Sequence, residues 1–371
     1  MKKNHARKIR YLSLLGLFLT AHAMPVKSET ITIGKGSGVA WEGLPFDVTL
    51  TGPLKESYLE PGMGLAAISN VSHQCIGDYN LVTYNGMKVL QIAPGVGLVP
   101  RATATASYTF DHNGQIETLT GTIGLPKTEA DVNAGGTNIK ITNPLRFGEE
   151  GWCLPPRMER VANFYRPSVD RTVTIKGTWV LVTNGNQTSS EIKLHPMWAA
   201  SFSYTGQGTK SAVILPSTID LRISNLECNV ATPTAINFGA VQRNISKDAE
   251  LAKMSNHFNV NCTQDTDRIN ANIGVQFRAK SGLYDALPSQ LSLQQGGGYI
   301  TGEISGVTTD GMCGGTGGIT FDRTKIKLGE IKDTEASKAF PNQIIWRLCS
   351  GGADLPSGQV NASAEMLVTY N

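Results

Sequence analysis

The sequence predicts an all-β protein, and composition, residue alternation and turn signals each indicate this. The chain has 371 residues, of which 40 are glycine and only 17% are charged, with few of the Glu, Lys, Leu and Ala runs that build long helices. Several segments rich in β-branched and aromatic residues alternate between apolar and polar with a period of two. Asn-Gly pairs, typical of tight hairpin turns, begin at Asn85, Asn113 and Asn184. A chain of this length is expected to form two domains.

The N-terminal segment predicts export. Residues 1–10 are basic, and the apolar run from Tyr11 to Thr20 is too short to span a bilayer. Ala21-His22-Ala23 then offers the small residues of a cleavage site. We expect residues 1–23 to be a signal peptide and the mature chain to start near Met24; a retained anchor helix is the alternative. The protein is expected to be exported and soluble.

Net charge excludes one class of partner. The chain has 33 Lys and Arg against 30 Asp and Glu, and the first ten residues hold five of the basic ones. The remaining 28 basic residues do not exceed the 30 acidic ones. Nucleic-acid binding needs clustered positive charge to contact phosphates, so we expect no nucleic-acid partner.

Strands are expected along most of the chain. The strongest alternating segments are Thr30–Ile33, Phe46–Leu50, Thr103–Phe110, Gln115–Ile123 and Arg171–Thr183. The clearest hairpin spans Tyr79 to Ala93 and turns at Asn85-Gly86. Only Lys247–Met254 has a helix-like composition, enough for at most two turns.

The cysteines predict disulfides. An even number of cysteines in an exported chain, without zinc-ligand spacing, indicates three bridges among fifteen possible connectivities. Their order along the chain suggests neighbouring pairs: Cys75 with Cys153, Cys228 with Cys262, and Cys313 with Cys349. We expect the domain boundary between Leu221 and Cys228, giving residues 24–222 and 223–371.

The C-terminal segment carries the most specific motif. Apolar residues alternate with mostly polar ones after Gly358 and continue to the penultimate tyrosine: Val360, Ala362, Ala364, Met366, Val368 and Tyr370. Together with the Cys228–Cys262 pair and the early segment Thr234–Gly239 (TAINFG), this resembles the pilin subunits of chaperone-usher pili. The resemblance implies an incomplete immunoglobulin-like domain whose missing strand is supplied first by a periplasmic chaperone and then by the next pilus subunit. A second cysteine pair, Cys313 with Cys349, departs from the usual pilin pattern, and an ordinary complete immunoglobulin-like domain is the alternative.

About 200 residues precede the pilin half, and this two-part arrangement resembles that of two-domain tip adhesins. The resemblance implies an N-terminal β-sandwich that binds a host glycan or glycoprotein in the manner of a lectin, assembly through an outer-membrane usher, and a position at the fimbrial tip on the bacterial surface. A minor structural or initiating subunit without receptor binding is the alternative. We expect no enzyme activity and no cofactor, because the chain has no GxSxG or HExxH motif and no free Cys/His pair.

Candidate ligand-binding residues lie in two loop-like segments. Sugar sites combine an aromatic platform with a few fixed polar groups, and arginine binds carboxylate or sulfate in a bidentate manner. We predict Trp152 with Arg146, Arg157 and Lys140 as the first choice and Trp41 as the second; packing of Trp152 on the disulfide is the alternative. Three histidines, His73, His112 and His195, would have to converge from distant loops to form a zinc site, so no metal is expected.

Overall fold

A computed structural model describes residues 29–53, 64–141, 151–156, 166–202 and 207–370. The predicted signal peptide, residues 1–23, lies outside this part of the chain. Within it, strands dominate, and the only helical elements are 3₁₀ turns at Asp78–Asn80 and Tyr284–Ala286. No helix in these ranges is long and apolar enough to cross a membrane. The all-β prediction is confirmed.

The first half of the chain contains two packed sheets. Its strands are β1 (Glu29–Ile33), β2 (Ser37–Pro53), β3 (Ala66–Ser69), β4 (Val82–Tyr84), β5 (Met87–Ala93), β6 (Val96–Thr109), β7 (Ile116–Gly124), β8 (Glu129–Ala134), β9 (Thr137–Ile141), β10 (Cys153–Leu154), β11 (Asp170–Asn184), β12 (Ser190–Lys193), β13 (Met197–Ser201), β14 (Lys210–Leu215) and β15 (Ile219–Ile223). The larger sheet has the order β2-β11-β6-β7-β8-β9, with β5 paired to β6 and β4 to β5. The smaller sheet has the order β10-β3-β13-β14.

Residue alternation explains which face of the larger sheet is inside. In β6, Ala102, Ala104 and Ala106 are buried while Thr103 and Thr105 between them are exposed. Successive side chains of a strand point to opposite faces, so these small alanines face inward and pack toward the smaller sheet. Three of the five segments expected from alternation lie within observed strands, and the other two, Thr103–Phe110 and Gln115–Ile123, each extend one residue beyond β6 and β7.

The second half forms another two-sheet sandwich. Its strands are β16 (Glu227–Ala231), β17 (Glu250–Thr263), β18 (Ala271–Ala279), β19 (Leu291–Ser292), β20 (Gly298–Ile304), β21 (Ile326–Ile331), β22 (Ser337–Ser350) and β23 (Ala364–Tyr370). One sheet has the order β16-β17-β22-β20-β19. In the other, β23 lies beside β18 and β18 beside β21, and this sheet continues into the first half as β12-β15-β1-β23-β18-β21.

Two local predictions differ from the structure. Asn85 and Gly86 both have positive φ, 50° and 78°, as the tight hairpin requires, whereas only the glycine does so in the pairs that begin at Asn113 and Asn184. The helix-like segment Lys247–Met254 instead enters β17, whose pairing with β22 begins at Glu250↔Cys349. Long-range pairing overrides weak helix propensity here.

The disulfide connectivity inferred from chain order is confirmed. Bridges join Cys75 to Cys153, Cys228 to Cys262, and Cys313 to Cys349. The first lies in the first half and the other two in the second. Each half is therefore cross-linked within itself.

Buried apolar side chains form two main clusters that divide near the predicted boundary. One cluster runs from Ile31 to Ile223 and the other from Leu226 to Tyr370. A small third cluster surrounds the Cys75–Cys153 bridge. The domain limits themselves, 24–222 and 223–371, stay a prediction, although each half has its own core.

Candidate functional site

Strand β23 has one paired edge and one largely open edge. It pairs with β18 along its whole length, from Ile273↔Tyr370 to Ala279↔Ala364. Its other edge meets β1 at a single position, Thr32↔Tyr370. Beyond that position the edge has no strand partner among the described residues. Backbone N–H and C=O groups on an open edge are a template for a further strand.

The side chains of β23 that face the second core are only partly covered. Met366 and Val368 are half-buried against this core, and Ala364 is exposed. The core also contacts half-buried Val230 of β16 and Trp346 of β22. A strand face that lines a core yet stays half-exposed indicates a sandwich that is not fully covered at this edge.

The predicted edge residues lie in one continuous segment. Gly358, Val360 and Ala362 precede the strand, and Ala364, Met366, Val368 and Tyr370 belong to β23. The segment Thr234–Gly239, expected as an early strand from the resemblance, is not a strand. Its Ile236 and Phe238 side chains are half-buried.

Tyr370 closes the covered end of β23. Its side chain is 7% exposed, and burial raises its pKa to about 12 despite a hydrogen bond with the backbone of Cys228. The ring lies against Gly34, where a Cβ would come within 3.2 Å of the tyrosine Cζ and 2.0 Å of the Leu226 carbonyl oxygen. Residue 34 must therefore be glycine for the two halves to approach this closely.

The opposite face of β23 contacts the first half. Glu365 pairs with Arg278 of β18, and both line a small cleft together with Leu367 and residues of β2, including Val39 and Glu42. Side chains alternate across a strand, so neighbouring residues of β23 face the open core on one side and the first half on the other.

A buried carboxylate links the two halves at this cleft. Glu42 accepts hydrogen bonds from Arg101 Nε at 3.1 Å and Thr178 Oγ1 at 2.9 Å. Arg323 from the second half lies with its Nε 2.8 Å from the same carboxylate oxygen. The pKa of the Arg323 guanidinium is lowered by burial, which its attraction to Glu42 opposes. The halves are thus joined by a partly buried ion pair.

Both predicted tryptophan platforms are buried. Trp152 is 1% exposed and packs on Trp179, with ring centroids 6.5 Å apart. Trp41 is 4% exposed in β2, and its indole lies over Gly43, where a Cβ would come within 2.6 Å of the ring. A sugar stacks only on an accessible ring, so the structure does not support Trp152 or Trp41 as exposed platforms.

The other predicted ligand residues do not join these indoles. Lys140 is exposed on β9, where it and Lys127 approach Glu129 at 3.3 Å and 2.8 Å. Hydrogen bonds from Lys127 and then Lys140 lower the pKa of Glu129. Strands β2 and β9 are the two edges of the larger sheet, with four strands between them, so Lys140 and Trp41 do not share a site. Arg146 and Arg157 lie outside the described residues.

Two features were missed at the sequence level. The ion pair of Glu42 and Arg323 joins residues far apart in the chain, and no sequence spacing indicates it. Tyr79 is 70% exposed, and no local sequence pattern indicates that its ring is exposed. No group of three or more His, Cys, Asp or Glu that could hold a metal occurs in the described ranges.

Comparisons with known proteins give matches at the level of structure. No family model matches the chain, and no curated protein matches it. The CupB6 tip adhesin from Pseudomonas aeruginosa is similar over 91% of this chain and 87% of that one, with 15% identity and a TM-score of 0.27.

Two further similar structures are chaperone complexes. One is a chaperone–tip adhesin complex of CFA/I fimbriae, with 10% identity, a TM-score of 0.24 and coverage of 92% and 95%. The other is the CsuC–CsuE pre-assembly complex from the archaic chaperone-usher Csu pili of Acinetobacter baumannii, with 9% identity, a TM-score of 0.20 and coverage of 92% and 97%. All three contain tip adhesins. At such low identities and TM-scores they supply no residue correspondence.

Proposed function

We propose that this chain is a tip adhesin of a chaperone-usher pilus. In this proposal residues 223–371 form a pilin domain that accepts a strand from another protein. Residues 24–222 form a receptor-binding domain that attaches the bacterium to a host glycan or glycoprotein. The protein acts by binding and assembly rather than by catalysis.

The observation that carries the proposal is the open edge of β23 beside a half-covered core. A strand with alternating apolar residues could pair with the backbone of this edge and place its side chains over Met366 and Val368. Such β-strand addition combines main-chain hydrogen bonds with burial of alternate side chains. The donor would be a periplasmic chaperone during export and the next pilus subunit after passage through the usher.

The receptor-binding role rests on the first half. This half has a core of its own, and the C-terminal motif lies entirely in the second half. A separate folded unit beside an assembly module is what a recognition domain requires. In this proposal the chain reaches the fimbrial tip through the periplasm.

A strand-complementation experiment tests the assembly role. A flexible linker and an alternating apolar strand would be appended after residue 371, and the full chain would be exported to a bacterial periplasm. We expect the appended strand to raise the yield of soluble monomer over that of the unmodified chain. The matched control carries the same strand with its apolar positions changed to serine, and it should give no increase. An unmodified chain that is already monomeric and stable, with no gain from the apolar strand, would argue against the proposal.

An attachment experiment separates the adhesin from the alternative. Beads coated with the full chain, purified with the chaperone that accompanies it, would be added to host epithelial cells. Selective, saturable attachment supports an adhesin. Folded protein that accepts a strand yet attaches to no cell favours a minor structural or initiating subunit.

A further inference from the structure

We propose that Tyr79 is the aromatic platform of a carbohydrate subsite on the first half. This inference rests on the proposed receptor-binding function and specifies where a sugar would bind. Tyr79 is 70% exposed, and it is the one Phe, Tyr or Trp classed as exposed in the described ranges. Tyrosine combines a large apolar ring with a polar hydroxyl group and is enriched at interfaces, so a ring held in water on a fixed turn is a candidate binding surface.

The segment that carries Tyr79 is fixed by several contacts. It follows Cys75, which is bridged to Cys153. The backbone N–H of Trp152 donates to the Ile76 carbonyl oxygen at 3.1 Å. A Cβ on Gly151 would come within 1.8 Å of the same oxygen, so these two backbone segments pack directly together.

The residues on either side of the ring are fixed as well. Asp78 accepts a hydrogen bond from the Gly151 backbone N–H at 3.1 Å and pairs with Lys88 of β5. The turn closes through Asn80 N–H to the Gly77 carbonyl at 3.0 Å, and through Leu81 N–H to the Asp78 carbonyl at 3.0 Å. A ligand would therefore meet a ring on a preorganised backbone, and binding would lose little conformational entropy.

Two polar side chains belong to this turn or contact it. Asn80 is exposed, and the Lys88 side chain is 53% exposed while its ammonium group pairs with Asp78. A pyranose could stack on the Tyr79 ring, with its hydroxyl groups bonded to the Asn80 amide and the Lys88 ammonium. An apolar platform flanked by a few fixed polar groups is the usual composition of a ligand site.

Trp152, which precedes Cys153, positions the Tyr79 segment through its backbone while its side chain stays buried. Trp152 packs in the core, and its backbone N–H holds the segment that leads to Tyr79. The disulfide thus orients the loop on its Cys75 side, where the exposed ring lies.

The test compares Tyr79→Ala, Tyr79→Phe and Ile116→Ala in the full chain. Ile116 is also 70% exposed, so its removal controls for the loss of exposed apolar surface. Each protein, purified from the periplasm with the chaperone that accompanies it, would be probed on a printed array of neutral, sialylated and sulfated oligosaccharides. The same preparations would be tested for attachment to epithelial cells.

We expect Tyr79→Ala to weaken binding to the recognised oligosaccharide at least about tenfold, as for a central aromatic contact. Tyr79→Phe keeps the ring and should stay within about threefold, and Ile116→Ala should bind as the unaltered chain does. Full binding by Tyr79→Ala would overturn the subsite while leaving the adhesin proposal intact. Cell attachment without binding to any oligosaccharide would overturn the carbohydrate subsite alone, and absence of both activities in the unaltered chain would overturn the receptor-binding role as well.

Discussion

Tyr370 offers a quantitative test of how the last described strand is held. Its ring is 7% exposed, and the residue pairs with Ile273 on one side and Thr32 on the other. Truncation of a buried aromatic side chain to alanine costs about 3 to 5 kcal/mol. Tyr370→Phe removes only the hydroxyl group and should cost about 1 kcal/mol.

The raised pKa of Tyr370 makes the free energy of unfolding fall as the pH rises above 10. Burial raises this pKa from 10.0 to about 12, so at intermediate pH the folded chain keeps a proton that the unfolded chain has lost. The stabilisation is complete below the unfolded pKa and is lost as pH rises through the folded one. At pH 11 the free energy of unfolding should have fallen by about 1.4 kcal/mol from this group alone.

Urea unfolding of the full chain at pH 8 and pH 11 measures both effects. The unaltered chain should lose more stability between these pH values than Tyr370→Phe does, by roughly the amount given above. Tyr370→Ala should also reduce the yield of chaperone complex, because it releases the end of β23. If Tyr370→Ala costs less than about 1 kcal/mol and Tyr370→Phe has the same pH dependence as the unaltered chain, the reasoning about this residue is refuted.

Three further predictions concern the Glu42–Arg323 ion pair, the half-exposed face of β23 and the Cys313–Cys349 bridge. Arg323→Met should lower the free energy of unfolding in urea by about 1 to 2 kcal/mol, because Glu42 keeps its hydrogen bonds from Arg101 and Thr178. The control Arg222→Met, which removes an exposed ion pair, should change it by less than about 0.5 kcal/mol. Equal effects of the two substitutions would contradict a partly buried ion pair between the two halves. Met366→Lys should change the stability of the isolated chain by less than about 1 kcal/mol, since the side chain is half-exposed. It should nevertheless abolish co-purification with the chaperone, and an unchanged yield would exclude this face from strand addition. Replacing Cys313 and Cys349 together by serine should lower the unfolding midpoint in urea, with a loss of about 3 to 4 kcal/mol for a bridge across 36 residues. A change below about 1 kcal/mol would show that the loop is held without the bridge.

The all-β class and the strand positions could be predicted because they depend on local patterns. Alternation in Thr103–Phe110 and Arg171–Thr183 marks the strands directly, and the order of the cysteines was enough to infer the connectivity. The helix prediction for Lys247–Met254 is wrong because the pairing partner of this segment, β22, lies about a hundred residues away. Local composition does not report such a partner.

The candidate binding residues could not be predicted to the same degree. The glycine, cysteine and proline around Trp152 predict a loop, but burial of an indole depends on what packs over it, here Trp179. The sequence predicts Tyr79 as the start of a hairpin, whereas β4 begins only at Val82. Exposure is a tertiary property, and single-sequence patterns show only which residues alternate.

Hydrogen exchange at the amides of residues 364–369 tests the central claim most directly. The full chain would be measured alone and in complex with a pilus chaperone. We predict that amides of β23 facing away from β18 exchange quickly in the free chain and become strongly protected in the complex, while amides of β11 in the first half do not change. Strong protection of the whole strand in the free chain, or no change on complex formation, would contradict an edge that accepts a donor strand.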